Sequence, residues 1–125
     1  MIGQTSILEK STKAGAAITA FTIAKFGGDD ETMVPAAGNT DELIGIFQHG
    51  AENGKEVRVM LGGISRLKLG GTVVRGAYVT SDASGCGVAI GAVAGTNYTA
   101  IGKALAGGAS GDIIPALIAP SRPQG

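Results

Sequence analysis

Apolar and polar residues alternate with a period of two over much of this chain. In Glu56–Leu61, Val57, Val59 and Leu61 fall on one side and Glu56, Arg58 and Met60 on the other, the pattern of a strand with one buried face. Arg66-Leu67-Lys68-Leu69 alternates likewise beyond Gly62-Gly63, a pair suited to a bend or bulge because the backbone can turn there without a Cβ. Ile18–Ala24, Ala77–Ser81 and Val88–Val93 predict further strands, bounded by Gly and Asp. No segment carries a helical stripe with a cap and a stop. Ala100–Ala109 has the length for a helical turn, but Gly102, Gly107 and Gly108 oppose it. The expected fold class is all-β, a small β-barrel or β-sandwich with short turns and little or no helix.

The chain also repeats itself. Slid along its own sequence without a gap, Ala16–Gly62 overlies Val73–Ala119 with eight identities: Ala20/Ala77, Gly28/Gly85, Ala37/Ala94, Gly38/Gly95, Ile44/Ile101, Gly45/Gly102, Gly50/Gly107 and Gly54/Gly111. Neighbouring pairs agree in character, with Phe21 meeting Tyr78, Val57 meeting Ile114 and Leu61 meeting Ile118. Two copies are too few for a solenoid, so they are expected to pack as two similar halves of one barrel or sandwich. "AENG" at 51–54 and "GASGD" at 108–112 take equivalent hairpin positions, where Asn and Gly suit a positive φ. Arg58 of the first copy meets Pro115 in the second, which predicts an edge or an interruption in the last strand. The expected organisation is an N-terminal arm (1–13), a single β-domain (14–119) holding the repeats 16–62 and 73–119, and a C-terminal tail (120–125).

Composition narrows the function. The 125 residues carry ten basic and ten acidic side chains, a balance unlike that of a general nucleic-acid binder. Glycine is abundant at 22, tryptophan is absent and only five residues are aromatic, so the core must come from aliphatics and the chain should gain stability by association. The single Cys86 excludes an intramolecular disulfide framework. The longest mostly apolar run, Ala14–Ala24, is too short to span a bilayer, and MIGQTSILEK lacks the basic-then-apolar pattern of a signal peptide. The expectation is a soluble protein made in a cytoplasm, with no membrane partner.

Candidate chemistry is sparse. His49 is the only histidine and reads as a polar strand-end residue; Cys86, in "SGCGV", reads as a small semi-buried side chain without an activating base. Asp29-Asp30-Glu31 lacks the alternating ligand spacing of a calcium loop and reads as a solvated hairpin loop. "GCGVAIG" at 85–91 has the wrong glycine spacing for a dinucleotide fingerprint and leads into a β alternation. No catalytic, cofactor-binding or metal site is expected. One charge asymmetry remains: Val57–Ser81 holds Arg58, Arg66, Lys68 and Arg75 and no acid. It reads either as a solvated strand face or as a basic stripe steering the chain onto an acidic partner.

The order "ELIGIFQHGAENGKEVRVMLGGISRLKLGG", then "VVRGAYVTSDASG", then "AIGKALAGGASGD" resembles the capsid cement, or head decoration, proteins of tailed bacteriophages. The likeness rests on Ile44-Gly45 before a turn, Val57–Leu61 followed by Gly62, Arg75–Gly85, and the second Ile101-Gly102 block, and covers about residues 14–118. It implies a structural virion protein without catalytic residues or cofactor, bound to the major capsid protein on the outside of an icosahedral shell. It also implies a homo-oligomer, a trimer before a dimer, and no direct nucleic-acid contact. The candidate capsid contacts are Thr5, Ser6, Ile7 and Leu8 of the N-terminal arm, which reads either as a disordered terminus or as an arm that adds a strand to a capsid-protein edge, and Arg58, Arg66 and Lys68 of the basic stripe. The alternative is a monomeric β-domain binding a carbohydrate or peptide, for which a Trp-free chain with two tyrosines offers few aromatic platforms.

Overall fold

The structure, a computed structural model, describes residues 5–38, 41–90 and 99–121. These form nine strands and no helix: β1 (Thr5–Ala14), β2 (Ile23–Phe26), β3 (Thr32–Pro35), β4 (Leu43–Phe47), β5 (Glu56–Lys68), β6 (Tyr78–Ser81), β7 (Gly87–Ala89), β8 (Ala100–Ala104) and β9 (Ile113–Ser121). Their order is β1-β3-β2-β4-β5-β9-β8-β6-β7, and β1 also pairs with β5, which closes β1-β3-β2-β4-β5 into a five-stranded barrel. The all-β expectation holds, and the fold is a barrel with further strands. Of the expected strands, Ala77–Ser81 coincides with β6, and Ile18–Ala24 overlaps β2 only at its end. Val88–Val93 overlaps β7, with its last three residues outside the described ones.

The strands beyond the first barrel repeat its hydrogen bonding. β2 pairs with β3 and β4, and β4 with β5; β6 pairs with β7 and β8, and β8 with β9. Ile46↔Met60 and Phe47↔Val59 recur in the next repeat as Lys103↔Leu117 and Ala104↔Ala116. The register of β1 on β5 recurs too: Thr12↔Val57 and Lys13↔Glu56 become Leu67↔Ile114 and Lys68↔Ile113. Even the parallel closure returns, with Ala14↔Met33 answered by the bridge Leu69↔Gly87. The C-terminal half of β5 is therefore the first stave of a second circuit, β5-β7-β6-β8-β9. The repeat unit starts at β1, earlier than residue 16, and the segment expected as an arm is from Thr5 onward a strand of the first barrel.

The gapless alignment needs one correction. The stretch from Ser81 to Ala100 is longer than its counterpart from Phe26 to Leu43, so no single offset aligns both β2 with β6 and β4 with β8. Ile44/Ile101, Gly45/Gly102, Gly50/Gly107 and Gly54/Gly111 are true equivalents. Upstream the true partner of Tyr78 is Ile23, not Phe21, so Ala20/Ala77 and Gly28/Gly85 fall out of register; residues 94 and 95 lie outside the described ones. The two Ile-Gly blocks have a common cause. A Cβ on Gly45 would run into the Met60 carbonyl, and one on Gly102 into the Leu117 carbonyl, the same atom of the next repeat. Gly45 also stands at a register shift against β2, and Gly102 at one against β9.

Gly62-Gly63 does not divide two strands; β5 runs through it for 13 residues. The expected bulge is there: the pairing with β1 shifts at Ser6/Leu8 and Leu8/Glu9, opposite Gly63, Gly62 and Met60, and Gly63 takes φ 103°. What the alternation does not show is that both faces of the strand are covered. Val57 and Val59 point into the first barrel, beside Ala14, Ile18, Ala24, Met33 and Phe47. Met60, expected outside with Arg58, is fully buried in the cluster that fills the second barrel with Leu67, Leu69, Val79, Ile101 and Ile114.

Pro115 is neither at an edge nor at a break: β9 lies between β5 and β8. Its equivalent in the first barrel explains this. The Arg58 N–H there does not enter a ladder; it donates to His49 Nε2 at 3.2 Å, past the end of β4. A residue whose N–H meets a side chain in one barrel can be a proline in the other, where Ala106 stands in place of His49 and supplies no side-chain acceptor.

Candidate binding surface

The three basic residues on β5 do not act as one stripe. Arg58 and Arg66, both exposed, line one polar hollow of about 250 Å³ with Glu9, Phe21 and Gln48. The hollow lies where the Ile18–Thr22 loop crosses β5: the Lys68 N–H donates to the Phe21 carbonyl at 2.9 Å, and Phe21 itself takes φ 63°. Arg58 Nη1 stands 3.8 Å from Glu9 Oε1, a solvent-exposed pair worth little on its own. The Arg66 guanidinium lies 5.9 Å from the centre of the Phe21 ring. Gln48 forms the floor. Its Nε2 donates to the Ile46 carbonyl at 2.9 Å and to Ser65 Oγ at 3.0 Å, while its Oε1 is buried and meets no donor among the described residues. Lys68 does not line the hollow. It is half-buried, and its charge acts on Cys86 instead.

Thr5, Ser6 and Leu8 are paired along β5, opposite Ile64, Gly63 and Gly62, and Ile7 lies within the bulge between them. This corrects the picture of an arm that orders only on a partner: Thr5, Ser6 and Leu8 are already paired within the chain. The polar sequence of β1 gives no apolar period to detect: where burial is described, its inward residues are Thr12 and Ala14.

The remaining candidates have structural roles. His49 Nε2 accepts from Arg58 N–H, so Nδ1 carries the proton that faces the Gly50 carbonyl at 2.9 Å. Cys86 is half-buried, and burial, followed by the Asp82 carboxylate, pushes its thiol above the ordinary range, opposite to what a nucleophile needs. Asp82 Oδ1 accepts from the Ser84 and Cys86 amides and shapes the β6–β7 turn. Asp29 does the same for Glu31 in the β2–β3 turn, and hydrogen bonds from Thr32 and Glu31 hold its carboxyl below the usual range. Among the described residues no three His, Cys, Asp or Glu side chains converge on a common point.

Sequence reasoning missed a second surface, because it depends on which face of each barrel is covered. Ile23, Ile46 and Met60 share the outer face of the first barrel and are fully buried. Their equivalents on the second barrel are Tyr78, Lys103 and Leu117. Tyr78 is 46% and Leu117 40% exposed, and Lys103 Nζ lies 4.8 Å from the centre of the Tyr78 ring.

Comparison with known proteins agrees with this architecture. The crystal structure of the head fiber gp8.5 N base of bacteriophage phi29 superposes with a TM-score of 0.66 at 14% identity, covering 90% of this chain and 93% of that one. No curated protein matches the sequence. The family model for phage cement proteins matches residues 2–117, which is nearly the whole double-barrel unit. The chain belongs to the phage cement protein family, a family of structural phage proteins.

Proposed function

We propose that this protein binds the outer surface of an icosahedral phage capsid, contacts the major capsid protein and stabilises the shell as a homo-oligomer, a trimer before a dimer. The single observation that carries the reading is the match of residues 2–117 to the phage cement family. The head fiber base to which the fold is similar is itself a phage head component by its description. Stabilisation would follow from mass action: a protein that binds only the mature shell lowers the free energy of that state by its binding free energy at every occupied site.

On this reading the Arg58–Arg66 hollow meets an acidic capsid surface. Two guanidiniums, a single flanking carboxylate and the buried Gln48 Oε1 offer charge and one spare acceptor to a partner's side chains. Its contribution would lie mainly in association rate, screened beyond about 8 Å at physiological ionic strength. Residues 5–8 contribute through the rim of the first barrel rather than as a donated strand. The test is to mix the purified protein with shells that lack it and to follow co-sedimentation. Saturable, stoichiometric binding is expected, slowed at low salt by combined replacement of Arg58, Arg66 and Lys68 with Ser and nearly unaffected at high salt. Failure to co-sediment at any concentration would refute the capsid reading; an unchanged rate at every ionic strength would refute the role of the hollow.

A further inference from the structure

Phe21 holds a backbone conformation that the next repeat gives to a glycine. Its N–H donates to the Phe47 carbonyl at 2.8 Å, and the Gly76 N–H donates to the Ala104 carbonyl at 2.7 Å, the same bond one repeat later. Both residues are left-handed, with φ 63° at Phe21 and φ 87° at Gly76. A Cβ on Gly76 would meet no atom within 4 Å, so the backbone angle and not a lack of room favours glycine there. A bulky side chain in this conformation is strained, and such strain persists where the side chain has a use. Core packing is not that use. Phe21 is half-buried and belongs to neither hydrophobic cluster, nor to the partly buried residues packed against them. Its ring instead lines the Arg58–Arg66 hollow, with the Arg66 guanidinium over it.

We infer that Phe21 is a positioning residue: its ring holds the Arg66 guanidinium beside Arg58, and the hollow so prepared receives one Asp or Glu side chain of a protein partner. The charges select that class. Two guanidiniums and Glu9 leave one net positive charge, which a single carboxylate balances and a phosphate dianion would exceed. Gln48 commits its amide N–H groups to the Ile46 carbonyl and Ser65 Oγ, so the guanidiniums supply the donors. The ring face beneath Arg66 is not open to a sugar, which disfavours an acidic saccharide. Holding Arg66 in advance removes ordering that binding would otherwise require, so Phe21 acts on the lifetime of the contact. The inference deepens the capsid reading and rests on it only for the identity of the partner.

The first experiment needs no shell. Resonances of the full chain are followed by NMR while a blocked Gly-Glu-Gly peptide is added. Saturable shifts of the Arg58 and Arg66 Nε–H signals are expected, and none with blocked Gly-Gln-Gly. Phe21→Gly should weaken the Glu peptide by at least about tenfold. It should also melt above Phe21→Ala, because both lack the ring and only glycine relieves the strain. The second experiment mixes the chains with shells that lack the protein. Phe21→Gly keeps every charge, so it should associate at the wild-type, salt-dependent rate and dissociate at least about threefold faster. In an Arg66→Ser background the same change should add nothing, because the ring acts through Arg66. No shift with the Glu peptide, tighter binding of phosphate or glucuronate than of that peptide, or additive effects of Phe21→Gly and Arg66→Ser would overturn the inference. A Glu peptide that binds while shells do not would refute the capsid reading alone. Shells that release Phe21→Gly at the wild-type rate would refute the inference alone.

Discussion

The two barrels share a hydrogen-bonding plan and solve their interiors with different side chains. Phe47 fills the first barrel, flanked by Ala14 and Ala24; in the second, Ala104 takes the place of Phe47 while Leu69 and Val79 replace the two alanines. Volume lost at one position is returned at two others, which is what a close-packed interior of fixed backbone requires. On the outside the comparison reverses. Ile23, Ile46 and Met60 are covered and apolar, while Tyr78, Lys103 and Leu117 are open and mixed. Interiors drift together with compensation, whereas a surface is free to diverge as soon as its neighbour differs.

Removal of residues 2–10 separates the barrels most strongly. It takes away most of the β1 pairing with β5 and opens the first barrel, whereas the second keeps all its staves. Thermal unfolding should lose its single cooperative transition or shift down by more than about 10 °C, on the order of 2–3 kcal/mol or more. An unchanged transition would show that β1 is dispensable and that the closed first barrel contributes nothing.

Equivalent truncations sharpen the same contrast. Met60→Ala should cost about 2–5 kcal/mol, the range for a fully buried aliphatic. Leu117→Ala, at the same place in the next repeat, should cost under about 1 kcal/mol in the monomer. Denaturant titration at low protein concentration measures both, and equal costs would mean that the Leu117 face is not open in the free chain. Gly45→Ala and Gly102→Ala should by contrast behave alike. Each pushes a methyl into a carbonyl of the neighbouring strand, so each should cost about 1–3 kcal/mol.

The smallest effect concerns Asp41, which accepts the Ala37 N–H at 2.7 Å and pairs with Lys25 at 3.1 Å. The Ala37 amide, then Lys25, holds its carboxyl below the usual range against a modest burial penalty. A lowered native value means that its stabilisation is complete above the unfolded value of about 3.9 and is lost as pH falls below that. Asp41→Asn should therefore lower stability by roughly 1 kcal/mol near neutral pH, and the difference from wild type should shrink under acid.

Much of this is legible in the chain. Alternation at Val57, Val59 and Leu67 and the repeated Ile-Gly blocks point to paired strands in two copies, and they are. β1 escapes notice because Thr12, buried but polar, donates its hydroxyl to the Val57 carbonyl where the next repeat places Leu67. Parity puts Met60 correctly on the outer face of the first barrel, but as a local rule it cannot show that the other half of the chain covers that face and takes Met60 into the second barrel's core. Pro115 misleads for a similar reason. A missing donor matters only where the ladder asks for one, and that depends on where β4 and β8 stop. The Arg58–Arg66 hollow is half visible: the charges are evident, but only the crossing of the Ile18–Thr22 loop over β5 groups these two and separates Lys68.

Because one strand serves as the last stave of one barrel and the first of the other, the order of events in folding is constrained. Gly63 and Ile64 are flanked by Ser6 and Thr5 on one side and by Ile118 and Leu117 on the other. The middle of the chain thus waits for segments near both of its ends. As the chain leaves the ribosome, the first barrel can close once β5 has emerged, but the far edge of β5 then stays bare until β9 is made. Such long-range pairing is slow, and an uncovered edge is a template for other chains. The double barrel is therefore most exposed to mispairing during synthesis between Lys68 and Ile113, and slowed translation there should raise the aggregated fraction.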